Sequence, residues 1–136
     1  MYEPIRTKPV VQRMGGATVD YPHRSRAEAL DIQLAGHLAA LLAVTDELGL
    51  DEAADAIAAQ VARLRGAQPA RAPQAGRVSG ADAGDDAALH RRAHDLAARA
   101  LLVAASRADT TVAILAAERM DAHAAALESP DLAGVH

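Results

Sequence analysis

The sequence contains no cysteine, no tryptophan and no phenylalanine, and Tyr2 and Tyr21 are its only aromatic residues. Without cysteine there is neither a disulfide framework nor a thiolate metal site. Alanine supplies 36 of the 136 residues, whereas Leu, Ile, Val and Met together supply 31. Such a composition forms strands poorly, which argues against a β-sandwich or barrel. Lysine is almost missing as well, with Lys8 standing beside 13 arginines. The net charge of −4 offers no electrostatic case for nucleic acid or an anionic membrane. Long apolar runs are also lacking. The longest uncharged stretch with a helical pattern, Ile32 to Thr45, has 14 residues, where a membrane span needs about 20. No apolar leader core follows Met1. The expectation is a cytoplasmic protein with no membrane association.

What is present is helical. A chain of this length suits a single domain over residues 1–136. Such a chain buries about two-thirds of its unfolded surface, and with alanine filling the interior its helices must approach closely. Residues 1–24 carry Pro4, Pro9, Gly15, Gly16 and Pro22 without a period and read as an irregular arm. That arm sets Arg6, Lys8, Arg13 and Arg24 against Glu3 and Asp20. It is a solvated tail or an arm that docks on a partner subunit.

Ser25-Arg26-Ala27-Glu28 is a capping box, and Gly49 stands where a C′ glycine would close a helix, so a first helix spans 26–48. Its main stripe runs Leu30, Leu34, His37, Leu41, Val44, Leu48. The opposite side, through Ala35, Ala39 and Ala43, is also uncharged, as in a helix buried all round. Asp51 is the expected N-cap of a second helix over 52–65, with stripe Leu50, Ala54, Ile57, Val61, Leu64. The short turn makes residues 25–66 a helical hairpin. Residues 67–84, rich in Ala, Gly and Pro, form a linker.

From Asp85 to Glu128 there is neither Gly nor Pro, and Ser129-Pro130 follows, so 85–128 reads as one long helix with a tail at 129–136. The polar stretch Ser106–Thr111 is its weak place, and a break there gives a monomeric four-helix bundle instead. The expected fold is therefore all-α: a hairpin plus one long helix, completed by dimerisation.

Three groups of residues invite a chemical reading. Asp86, His90 and His94 are spaced by four along one helix side, the spacing of metal ligands. Arg91 and Arg92 flank them and repel a cation, so they are not expected to form a tight metal site. His37, between Leu34 and Leu41, is expected to hydrogen-bond from a buried or half-buried position. Glu118-x-x-Asp121, beside His123, is similar in spacing to the Glu-x-x-His ligands of di-metal bundles but has no histidine at the needed place. No phosphate loop, dinucleotide fingerprint or activated-serine motif occurs.

The sequence thus points to a non-enzymatic, self-associating helical interaction protein without a cofactor. Its expected partner is a second copy or another protein, and nucleic acid is disfavoured. The alternative is a small metal- or ligand-binding protein using the side of the long helix near His90 and His94. The homodimer interface is expected at Leu101, Ala105, Ala108, Val112 and Leu115 together with Ala35, Ala39 and Ala43. Two long helices crossing antiparallel near Ala108 would set His94 against the partner's His123.

Overall fold

The computed structural model describes residues 25–71 and 83–128; the arm 1–24, the linker from 72 to 82 and the tail 129–136 lie outside them. Among the described residues there are four α-helices and no strand: α1 (Arg26–Leu48), α2 (Asp51–Arg65), α3 (Ala83–Arg107) and α4 (Thr110–Glu128).

Local chemistry sets the ends of the first hairpin. Ser25 Oγ accepts from the Glu28 N–H at 3.0 Å while Glu28 Oε1 accepts from the Ser25 N–H at 3.1 Å, the reciprocal bonds of a capping box. Gly49 ends α1 at φ 76, with its N–H donating to Asp46 O at 2.9 Å and the Leu50 N–H to Thr45 O at 3.2 Å. These are the paired bonds of a Schellman cap, which needs a left-handed residue. Leu50, not Asp51, occupies the N-cap of α2, and no side chain caps it. Asp51 moves into the first turn beside Glu52, where both carboxylates still favour the helix dipole.

The long helix is broken, contrary to the continuous 85–128 element expected from sequence. Ala108 takes φ 61, the left-handed conformation of a C′ residue. Its N–H donates to Ala105 O at 3.1 Å and the Asp109 N–H to Ala104 O at 2.8 Å, the same Schellman pattern as at Gly49. Asp109 then starts α4, its Oδ1 accepting from the Val112 N–H at 3.2 Å. The energetic reason lies in packing. An unbroken helix would leave the side chains beyond Thr110 without a partner in the chain. Folding back buries Val112 and Ala116 completely and lays Leu115 and Met120 against the core. Full burial of one Val or Leu gains about 1.5–3 kcal/mol. A left-handed alanine costs only about 1–2 kcal/mol.

Two ion pairs define the topology. Arg107 Nε lies 3.0 Å from Asp31 Oδ1, so the end of α3 meets the start of α1. Arg63 Nη2 lies 2.8 Å from Asp109 Oδ2, so the end of α2 meets the start of α4. Helices α1 and α3 are antiparallel, as are α2 and α4, and α2 runs parallel to α3. The end of α2 and the start of α3 therefore lie at opposite ends of the bundle, a distance that a tight turn cannot span.

The core is a layer of Leu34, Leu38, Leu41 and Leu42 from α1 over Ala54, Ile57 and Val61 from α2 and an all-alanine seam on α3. That seam, Ala93, Ala97, Ala100 and Ala104, has no exposed surface. Its steps of four, three and four keep one side of α3 against its neighbours. Small side chains let α3 approach both α1 and α4, its two main partners. Two expected dimer-interface residues, Val112 and Ala35, are instead core residues within one chain.

Candidate functional site

The histidines meet, but not as the sequence suggested. His123 of α4 is wholly buried, and its Nδ1 lies 2.8 Å from Nδ1 of His90 on α3. The ring centroids are 5.1 Å apart. Two imidazole nitrogens at this separation share one proton, one donating and one accepting. Placing the His123 proton on Nδ1 leaves only a lone pair at its buried Nε2, which has no partner. Burial, then the charges of Arg119, His90 and His94, push the His123 imidazole from 6.5 down to about 4. The pairing is one helical turn away from the expected His94–His123 register. It lies within one chain, because α4 folds back on α3.

Asp86 and His94 are half-buried on α3. Among the described residues no group of three or more His, Asp or Glu side chains comes together to hold a metal ion. Glu118 and Asp121 are exposed. His37 is half-buried at the edge of the α1 stripe; the core line passes through Leu38 instead.

Sequence reasoning missed a buried carboxylate. The Asp46 side chain has no exposed surface although it sits near the C-terminus of α1, where the helix dipole disfavours an anion. Arg71 resolves this by a fork: Nη2 to Oδ1 at 2.8 Å and Nε to Oδ2 at 2.9 Å. A further contact joins Arg71 Nη1 to Asp55 Oδ1 at 3.3 Å. The hydrogen bonds and charge of Asp46, with help from Asp55, raise the Arg71 guanidinium above its ordinary value against a smaller burial effect. The chain beyond α2 is thereby pinned back along the α1–α2 hairpin. Nothing in the local sequence pairs residues 46 and 71.

Between the first turn of α2 and the middle of α4 lies a cavity of about 430 Å³, lined by Leu50, Asp51, Glu52, Ala53, Ala56, Leu115, Glu118 and Arg119. It exists because α2 and α4 scarcely touch along their length. Arg119 Nε is buried there without an acceptor, and burial lowers its guanidinium pKa against the raising effect of Glu118.

The outer face of α1 carries no charged side chain from Ile32 to Ala43; elsewhere Leu102 of α3 and Ile114 of α4 are the exposed large apolar residues. Ile32 is 54% exposed. Gly36 and Ala43 are exposed, and Ala39 and Ala40 are half-buried. No atom lies within 4 Å of the position a Gly36 Cβ would take. Of the other expected interface residues, Leu101 and Leu115 are half-buried, while Ala105 and Ala108 are exposed beside the α3–α4 turn. Among the described residues α1 is also the one helix long and apolar enough to cross a membrane by length and composition, with a third of that window buried in the bundle.

No protein-family model, curated protein or solved structure matches this chain.

Proposed function

We propose that this protein is a non-enzymatic helical module that self-associates through the outer face of α1. The observation that carries this reading is an uncharged strip from Ile32 to Ala43 with a glycine at its centre and open space above it. A mid-helix glycine costs about 1 kcal/mol relative to alanine. It is useful where another backbone must approach closely. A flat strip of glycine and alanine is self-complementary, so a two-fold axis through Gly36 brings like against like without a second kind of surface. The strip is about 17 Å long. A patch of that size supports a concentration-dependent dimer rather than an obligate one. A lipid surface fits less well, because membrane-surface helices carry large apolar side chains opposite a basic face. Here the strip is mostly alanine, and the far side of α1 is held by four buried leucines.

The alternative near His90 and His94 lacks a comparable observation. The His90 Nδ1 is engaged with His123, and no third donor joins them among the described residues.

The test uses two changes at Gly36 and one at Ala43. Gly36→Arg places a charged side chain in solvent in the monomer and in the seam of a dimer. It is expected to lower the average mass at a fixed concentration while circular dichroism stays helical. Gly36→Ala is expected to raise monomer stability. If Gly36→Arg and Ala43→Glu both leave the mass unchanged, the α1 face is not the interface.

A further inference from the structure

The second half of α4 is held to the bundle by one wholly buried side chain, and that side chain titrates. The buried residues of α4 are Val112, Ala116 and His123. The first two belong to the half that Asp109 anchors through its ion pair with Arg63. From residue 117 to 128, about three turns, only His123 has no exposed surface. Helix α4 packs chiefly on α3, and α1 and α2 scarcely touch it. These three turns are therefore fixed by the α3–α4 contact, with the hydrogen bond between His90 and His123 in its middle.

That bond is sound only while the pair is neutral. With one hydrogen between the two Nδ1 atoms, donated by His123, no hydrogen stands on its buried Nε2. A further proton taken by His123 goes to Nε2, where the new N–H has no acceptor. A proton taken by His90 at Nδ1 sets two N–H groups face to face, relieved only if His123 moves its own hydrogen to Nε2. Each route strands a buried donor beside a positive charge. The groups acting on His123 disfavour the same charge: Arg119 on its own helix, and His90 and His94 on α3, none of them an anion. We propose that the His90–His123 pair is an acid-released latch: protonation frees the 117–128 end of α4 from α3 while the rest of the bundle stays folded. Once free, His123 has water for both N–H groups and takes up its proton at the ordinary 6.5, against about 4 when docked. The freed form thus holds one more proton, and its population grows about tenfold per pH unit between these values. Three turns without packing are marginal as helix, so undocking also loosens their amides. The latch does not depend on self-association through α1, whose strip lies on another helix.

Amide hydrogen exchange tests this on the full chain, resolved by segment and corrected for the intrinsic pH dependence of exchange. Between pH 6.5 and about 4, protection of the amides from Arg119 to Leu127 is expected to fall about tenfold per pH unit. Over the same range it is expected to stay below the protection of the α1 core around Leu38 and Leu42, as in a local opening. In His123→Leu, which keeps the site apolar and takes up no proton, the slope is expected to vanish. His123→Gln serves in the same way if circular dichroism shows that the leucine variant does not fold. Protection from Arg119 to Leu127 that stays level with pH would overturn the proposal. So would loss in step with the α1 core, which is unfolding of the whole chain, or a slope that persists without His123.

Discussion

Ala108 is the residue at which α3 ends and the chain turns back into α4. A left-handed alanine is strained where a glycine is not, so Ala108→Gly relieves strain without touching a buried contact. The variant is expected to gain about 0.5–1 kcal/mol in urea melts. Ala108→Val, β-branched at positive φ, is expected to lose stability. The break was hidden in sequence because the C′ residue is not glycine. What was legible was its surroundings: the polar Ser106–Thr111 stretch and, within it, Asp109, an N-cap residue three positions before Val112. His123 belongs to the same scale. Its imidazole is held neutral down to about pH 4 in the folded protein, whereas an unfolded histidine takes up a proton near 6.5. Between these values the unfolded chain binds more protons. Stability is therefore full above about pH 6.5 and falls as the pH drops towards 4, by on the order of 3 kcal/mol. Urea melts across that range check the slope. In His123→Leu the slope is expected to flatten, and an unchanged slope would assign it to other groups.

Helices are where sequence and structure agree best, and the reasons are local. The capping box at Ser25–Glu28 and the glycines at 49 and 66 fixed α1 and α2 almost to the residue, because cap chemistry involves only near neighbours. The expected stripe of α1 holds at Leu34, Leu41 and Val44, with His37 half-buried, and the structure adds Leu38 and Leu42, since α1 packs on both α2 and α3 and buries a wider arc than one stripe. On α3 the buried residues are all alanine, which hydrophobic pattern alone ranks poorly among so many other alanines. The seam leaves no room for larger side chains. Ala100→Leu or Ala97→Leu is expected to cost about 1–3 kcal/mol by overpacking. Arg99→Ala, exposed between them, is expected to change stability little. If the leucine variants melt like the parent, α3 does not sit at the centre of the bundle.

At the scale of the whole molecule, the all-α class came from composition, but the arrangement did not. The apolar residues beyond Thr110, expected at a dimer interface through Val112 and Leu115, pack within the chain as α4 folds back on α3. The Asp46–Arg71 fork was invisible for a similar reason, since 25 residues of unrelated sequence separate its ends. It fastens the chain at Arg71 to the α1–α2 hairpin. Arg71→Ala is expected to lower the melting temperature by several degrees, because a buried carboxylate loses its counter-charge. Adding Asp46→Asn to that variant is expected to recover part of the loss. Once the chain is folded, the four leucines of α1 are satisfied inside, while its Ile32–Ala43 strip stays on the surface, the strip through which we propose association. Light scattering coupled to size exclusion, run from micromolar to several hundred micromolar without detergent, tests that claim most directly. The account predicts a mass rising with concentration from 14.1 kDa towards twice that value. A mass fixed at 14.1 kDa across the whole range would contradict it.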